Sequence, residues 1–193
     1  MGKYTTKTLD ADTWQDFAEL VEENNGVWGG CWCMWYHDEE GSADESPAAK
    51  REAKACRVHE GRAHASLVFE GERCVGWCQF GTCEELPRIH NQRAYQAAEP
   101  TLPDWRITCF FAGKGYRGQG VAKAALKGAV EQIKRLGGGR IEGYPDNTQG
   151  RKASPAFLFN GALSTFEREG FKPVRQIGKH KWVVSRTVRA SKR

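Results

Sequence analysis

The sequence predicts a mixed α/β fold with an antiparallel front and one late strand–helix–strand crossover. Three observations support this: a length of 193 residues, which suits one core; hydrophobic and charged fractions of 39% and 27%, which are typical of globular chains; and strand-like segments that alternate with amphipathic helices. No apolar run approaches the 18 or so residues that cross a bilayer. We therefore expect residues 1–193 to form a single domain that does not enter a membrane.

Capping and turn signals place the elements of the first half. Asp12 stands three residues before Gln15 as an expected N-cap, and Ser46-Pro47 opens a second helix. The predicted elements are a strand at 3–9, a helix that ends at 24–26, a helix from 46 to about 60, a β-hairpin with strands at 67–69 and 73–80, and a short helix between Pro87 and Pro100.

The second half carries the crossover. A buried strand at Trp105–Ala112 precedes a glycine-rich turn and an amphipathic helix from Gly120 to Leu136, which Gly137-Gly138-Gly139 ends. The remaining predicted elements are a strand at 140–144, a helix at 155–169, strands at 171–176 and 181–188, and a flexible basic tail at 185–193.

Charge is unevenly distributed between the two halves. The net charge of +5 combines −8 in residues 1–112 with +13 in residues 113–193. A strongly basic half suits a polyanionic partner, either a nucleic acid or a phosphorylated cofactor. The alternative is a solvated basic face with a basic tail.

Cysteine usage indicates a reducing compartment. Seven cysteines are an odd number, which favours free thiols and a cytoplasmic protein over a disulfide framework. Cys31, Cys33 and His37 match no zinc-binding spacing, so we expect no metal.

The turn between the 105–112 strand and the next helix predicts an anion site. Four glycines fall within Gly113–Gly120, and no Ser, Thr, Asp or Asn caps the helix that follows. Glycines let another group approach the bare backbone amides, and Arg117 lies beside them. The alternative is a tight turn in which glycine is an acceptable N-cap.

Two phosphate-binding patterns fit this turn poorly. Gly113, Gly115 and Gly118 have the spacing of the dinucleotide fingerprint, but too little chain follows Tyr144 to build the further parallel βαβ units. No Gly-Lys-[Ser/Thr] occurs, so a P-loop is excluded.

A third pattern overlaps them. Arg117–Ala122 fits Arg/Gln-x-x-Gly-x-Gly/Ala, Tyr116 precedes it as in "YRG-x-G", and Phe166–Phe171 is similar to a late helix that ends in Tyr-x-x-x-Gly-Phe. In these motifs, and in the hairpin with Val75-Gly76-Trp77, the chain resembles the GNAT superfamily of acetyl-CoA-dependent N-acetyltransferases over about residues 3–188.

The resemblance implies a fold and a cofactor. The fold is a twisted, mixed and mostly antiparallel sheet of about seven strands flanked by helices. The cofactor is acetyl-CoA, with its pyrophosphate on the amides of the turn and its pantetheine arm beside the preceding strand. The residues implied to bind coenzyme A are Phe110, Phe111, Ala112, Arg117, Gly118, Gln119, Gly120, Val121 and Ala122.

The catalytic groups are less clear from the sequence. The family commonly has a tyrosine as leaving-group acid where this chain has Phe166, which has no proton to give. Tyr144 is the candidate substitute, and Glu142 and Glu84-Glu85 are candidate bases. The structural alternatives are a half-buried tyrosine, a salt-bridged Glu142 and a solvated loop.

Aromatic residues suggest a site for the acceptor. Trp28, Trp32 and Trp35 fall within eight residues, followed by acidic Asp38–Glu40, which would suit a cationic amine; core packing of the rings is the alternative. The acceptor is expected to be a small-molecule or protein amine, a homodimer stays open, and no nucleic acid partner is expected because the aromatics lie mainly outside the basic half.

We thus expect an acetyltransferase that works by direct attack in a ternary complex. Two other classes stay open: a catalytically silent CoA-binding domain, and a nucleic-acid-binding module.

Overall fold

The computed structural model describes residues 2–27, 29–37, 46–150 and 158–191. Its strands form one seven-stranded sheet in the order β1-β2-β3-β4-β5-β7-β6. The strands are β1 (Thr5–Thr8), β2 (His64–Glu70), β3 (Arg73–Gly81), β4 (Trp105–Ala112), β5 (Gly138–Gly143), β6 (Lys172–Gln176) and β7 (Trp182–Arg189). The helices are α1 (Trp14–Glu23), α2 (Pro47–His59), α3 (Gln92–Gln96), α4 (Val121–Arg135) and α5 (Leu163–Arg168), with a 3-10 turn at Met34–Tyr36.

The topology confirms the predicted fold class. Every neighbouring pair is antiparallel except β4 and β5, which are parallel and joined by α4. A parallel pair needs such a crossover connection, so α4 lies across the sheet. Gly128 permits the close approach, since a Cβ there would overlap the Ser66 side chain.

The sheet separates two main cores. On one face, α4 and α5 pack Ile107, Val121 and Phe166 into one cluster. On the other face, α1 and the 31–37 segment pack Phe17 and Trp77 into a second cluster. The strands contribute side chains to both clusters, because successive side chains point to opposite faces of the sheet.

The sheet splits between its parallel strands. β4 and β5 are paired only from Trp105 to Ile107, although β4 stays paired with β3 up to Ala112. β5 ends at Gly143, and Pro145, which has no amide hydrogen, lies two residues on. Among the described residues, the last part of β4 therefore has a strand partner on one side only.

Several sequence-predicted boundaries change. Thr13, not Asp12, is the residue before α1, because the Asp10 side chain accepts from the amides of Asp12 and Thr13 and forms a turn first. Gly138 and Gly139 belong to β5 instead of ending the preceding helix. Ser185–Arg189, expected to begin a flexible tail, pair with β5 as the last part of β7.

The late helix is also shorter than expected. It begins at Leu163, because Ala162 has an extended conformation and the residues before it bond to other elements: the Phe159 carbonyl accepts from Phe110, and the Gly161 carbonyl from Asp146. Residues 155–157 of the predicted helix lie outside the described residues.

A lysine of α2 lies in the core. Lys54 is 1% exposed, and its Nζ donates to Gln79 Oε1 at 2.8 Å and contacts His37 Nε2 at 3.0 Å. His37 Nδ1 faces the Glu85 carbonyl, which can only accept, so Nε2 is the acceptor for Lys54. Burial penalises the charge and lowers the pKa of Lys54 from 10.5 to about 8.

This lysine predicts a pH dependence of stability. Between about pH 8 and 10.5 the unfolded chain keeps a proton on Lys54 that the folded chain has released, so Lys54 contributes a rise of up to about 3 kcal/mol to the free energy of unfolding. We expect Lys54→Met to remove this rise in urea titrations at pH 7.5 and 9.5, and Lys127→Met, at an exposed position of α4, to keep it. Burial raises the pKa of the Cys74 and Cys78 thiols, which contribute a fall over the same range in the wild type and in either variant. Equal pH slopes for the wild type and Lys54→Met would contradict this assignment.

Candidate functional site

The turn between β4 and α4 requires glycine. Gly115, Gly118 and Gly120 have φ values of +88°, +75° and +90°, and a Cβ on any of them would meet nothing within 4 Å. Other residues adopt this conformation only at a cost of about 1–2 kcal/mol. The three glycines thus keep the backbone turned and leave open space above it.

The first turn of α4 offers unpaired amides. Gly120 is the N-cap, no side chain caps the helix, and the first intrahelical bond runs from the Ala124 amide to the Gly120 carbonyl at 3.0 Å. The amides of residues 121–123 therefore have no partner within the helix, and the helix dipole places partial positive charge on them. The exposed side chains of Arg117 and Lys123 add formal positive charge at this end.

A cleft of about 680 Å³ opens in front of these amides. Its volume is in the range of small-molecule sites. The end of β4, the glycine turn and the start of α4 form one wall, and residues from 158 to 168 form another. Of the residues implied to bind coenzyme A, those that line it are Phe110, Phe111, Ala112, Arg117, Gly118, Gly120, Val121 and Ala122.

Gln119 differs from its neighbours. Its amide donates to the Tyr116 carbonyl at 3.3 Å, and its side chain donates to the Gly115 carbonyl and accepts from Lys3 Nζ. It is not among the residues that line the cleft. Gln119 therefore holds the turn together by hydrogen bonds within it and does not face the cleft.

The backbone amides at the end of β4 point alternately towards β3 and towards the split. The Gly113 amide donates to Val75 of β3 at 2.9 Å, whereas the Phe110 amide donates to the Phe159 carbonyl at 2.6 Å on the other side. By this alternation Phe110 and Ala112 face the split, and Phe111 faces β3. The segment around Phe159 thus occupies part of the edge at Phe110.

The structure does not bring Tyr144 and Glu142 to the cleft. Glu142 is 2% exposed and accepts from Arg140 at 2.7 Å, Tyr95 at 2.8 Å and Tyr144 at 3.3 Å. Tyr144 packs with Tyr95 in a third cluster, and burial raises its pKa well above 10. Their side chains alternate with Gly143, which faces Phe166, so they point to the opposite face of the sheet.

Phe166 has a packing role in α5. It is fully buried and makes edge-on contacts with Phe110 and Phe171 at ring distances of 5.7 and 5.1 Å. The α5 residues that line the cleft are Thr165 and Arg168, which the sequence reasoning did not select.

Only part of the predicted aromatic site can be placed. Trp32 is 4% exposed and packs on Trp14 and Phe17, so it belongs to the core. Trp35 is 39% exposed and stacks on His90 at 4.3 Å. Trp28 and the acidic residues 38–40 lie outside the described residues.

A second pocket, of about 390 Å³, adjoins the cleft at Phe159, which lines both. Lys181 Nζ lies 2.6 Å from an Asp146 carboxylate oxygen within it. Burial, and then the charge of Lys181, lower the pKa of His90 below 6.5, so this histidine is neutral at pH 7. The other lining residues are Asn91, Gly178, Lys179 and His180.

Of the remaining sequence candidates, Glu84 is exposed, whereas Glu85 and Cys33 have structural partners. Glu85 accepts from the Thr82 amide at 2.9 Å and lies 3.2 Å from His64 Nε2. Cys33 contacts Cys109 at 3.2 Å between sulfur atoms. Within the described ranges, no three His, Cys, Asp or Glu side chains group closely enough to hold a metal ion. None of the described helices is both long and apolar enough to cross a bilayer.

The split sheet with an uncapped helix behind a glycine turn defines an acetyltransferase fold. The model of the acetyltransferase (GNAT) family matches residues 12–153, and the chain belongs to this family.

Solved structures share the fold at low identity. An acetyltransferase from Thermus thermophilus is 15% identical, with a TM-score of 0.54 over 97% of this chain and 100% of its own. yncA of Salmonella typhimurium, a candidate acetyltransferase solved with its cofactor acetyl-CoA, is 12% identical, with a TM-score of 0.52 over 100% and 96%. The ribosomal L7/L12 alpha-N-protein acetyltransferase RimL, solved with coenzyme A, is 14% identical, with a TM-score of 0.53 over 99% and 97%. No curated protein sequence matches the chain significantly.

Proposed function

We propose that this protein transfers the acetyl group of acetyl-CoA to a primary amine by direct attack in a ternary complex. The observation that carries the proposal is the row of uncapped α4 amides behind Gly118 and Gly120, which opens onto the cleft where β4 leaves β5. Family membership and the acetyl-CoA bound to yncA support the same cofactor.

The residues present suit coenzyme A. Its pyrophosphate would be held by the amides of residues 120–123, with Arg117 and Lys123 as the nearby cations. Its pantetheine arm would follow the edge of β4 beyond Phe110, where Ala112 faces the split. When bound, the coenzyme would supply an acetyl thioester, and a β4 amide that faces the split would stabilise negative charge on the carbonyl oxygen.

The second pocket is the proposed acceptor site. It adjoins the cleft at Phe159 and contains His90, a neutral imidazole that can accept a proton from the attacking amine, directly or through one water. Trp35 stacks on His90 and fixes the plane of its ring. His90 replaces Glu142 as the candidate base because it lines a pocket next to the cleft.

The leaving thiolate departs without a protein acid in this proposal. Phe166 occupies the family's tyrosine position as a buried ring, and Tyr144 faces the other side of the sheet. A thiol has a pKa of about 8.5, so its thiolate is a good leaving group near neutral pH.

Two measurements test the function. Acetyl-CoA at about 100 times its Kd is expected to stabilise the protein by about 2.7 kcal/mol, seen as a rise of several degrees in Tm. Release of free CoA thiol with a panel of amines then separates an enzyme from a silent coenzyme-binding domain. A Tm that does not respond to acetyl-CoA would contradict the cofactor, and a Tm rise without thiol release on any amine would contradict the reaction.

A further inference from the structure

A buried arginine outside the cleft has no carboxylate partner among the described residues. Arg106 on β4 is 4% exposed, and its Nη1 donates to the carbonyls of Leu86 at 2.7 Å and Pro87 at 3.0 Å. Its Nε is buried without a hydrogen-bond partner. In the part of the chain that the structure describes, no carboxylate forms a salt bridge with it.

The carboxylate nearest to Arg106 along the sheet, that of Glu142, already has hydrogen-bond partners. Glu142 lies opposite Arg106 in the strand register, but its two oxygens accept from Arg140, Tyr95 and Tyr144. Arg175 adds another guanidinium, 4.8 Å from the ring centroid of Tyr95, which Arg106 approaches to 5.8 Å. Among the described ion pairs Glu142 is matched with Arg140, so Arg106 and Arg175, which both approach the Tyr95 ring, are left without an ion-pair partner there.

Arg106 also lines a cavity. The cavity has a volume of about 150 Å³, which holds about six non-hydrogen atoms, and it lies beneath α3. Ile89, Pro100 and Leu102 give it apolar walls, and its other lining residues are Gln92, Tyr95 and Gln96. It shares no lining residue with the cleft or with the His90 pocket.

From these observations we propose that this cavity binds a small aliphatic monocarboxylate through the Nε edge of Arg106, with the alkyl group against Ile89, Pro100 and Leu102. A guanidinium recognises a carboxylate by two parallel charge-assisted hydrogen bonds, and the Nη1 position is already held by backbone carbonyls. Burial of a guanidinium without a paired anion is unfavourable, and the ligand supplies that anion. The site is independent of acetyl transfer, since neither the cleft nor the acceptor pocket contributes to it.

Isobutyrate and its uncharged analogue isobutyramide test the proposal on the full-length wild type. We expect isobutyrate to bind at one saturable site, to shift the NMR signal of the Arg106 Nε–H and the methyl signals of Ile89 and Leu102, and to bind at least tenfold more tightly than isobutyramide. Arg106→Gln should abolish the preference for the charged ligand, and Arg62→Gln, at an exposed salt bridge, should keep it.

Three other outcomes of these experiments would contradict the proposed site. Equal affinity for acid and amide would remove the role of Arg106, and an unshifted Nε–H signal at saturation would place the ligand elsewhere. If Arg106→Gln does not fold, these two measurements on the wild type still test whether Arg106 binds the carboxylate. Competition between isobutyrate and acetyl-CoA would also contradict a separate site, whereas failure of acetyl-CoA to bind would leave this proposal intact.

Discussion

Gly120→Val is expected to lower the affinity for acetyl-CoA about a hundredfold while the domain stays folded. The valine side chain would project into the open space in front of the α4 amides, where a pyrophosphate must lie to accept their hydrogen bonds. Its β-branch also disfavours a φ of +90°, at about 1–2 kcal/mol. Isothermal titration with acetyl-CoA and a urea titration of each variant measure the two effects separately.

Gly61→Val is the matched control. Gly61 has a φ of +69° at the end of α2, again with nothing within 4 Å of an added Cβ, and it lies outside the cleft. The two variants should lose similar amounts of stability, and only Gly120→Val should lose coenzyme affinity. Equal affinities in the two variants would contradict the anion site.

His90→Asn is expected to lower kcat about a hundredfold and to leave acetyl-CoA affinity unchanged. The neutral imidazole is the proton acceptor, and general-base catalysis contributes about this much. Because burial and Lys181 hold the pKa of His90 below 6.5, the wild-type rate should be full above this pH and fall as the pH drops through the lowered pKa. The variant should lose that limb of the pH profile.

His59→Asn provides the comparison for this prediction. His59 is exposed on α2, away from both pockets, so its replacement should change neither kcat nor the pH profile. A wild-type pH profile in His90→Asn would assign the base elsewhere, whatever the size of the change in kcat.

The strand, the turn and the helix start on the cofactor side could be predicted from the sequence because their signals are local. The bounds of β4 follow from one apolar run, and glycine spacing with a missing cap residue specifies the turn and the open start of α4. Gln119 was assigned to the cofactor by its place in the motif. Only the structure shows that its amide and side chain close the turn.

The catalytic side could not be predicted in the same way. The alternation of side chains along β5 follows from the sequence, but the face of the strand that meets the cleft does not. Phe166 packs against Gly143, and Glu142 and Tyr144 therefore face away. His90 lies in an irregular segment after Pro87 without periodicity, and only the sheet topology brings it near Phe159.

The different positions of the tryptophans in the predicted aromatic site could not be read from the sequence either. Trp32 and Trp35 are three residues apart, yet one packs in the core and the other lies at the surface beside His90. Trp32 has a φ of +49°, outside regular secondary structure, so no helical or strand period relates the two rings. Composition alone could not separate them.

The amides that face the cleft can be observed directly. In two-dimensional ¹H–¹⁵N NMR spectra, saturating coenzyme A should shift the backbone signals of Gly118, Gly120, Val121, Ala122 and Lys123 more than those of any other helix start, and leave Gly61 unchanged. Coenzyme A that binds while these five signals stay in place would contradict the central claim that the first turn of α4 holds its pyrophosphate.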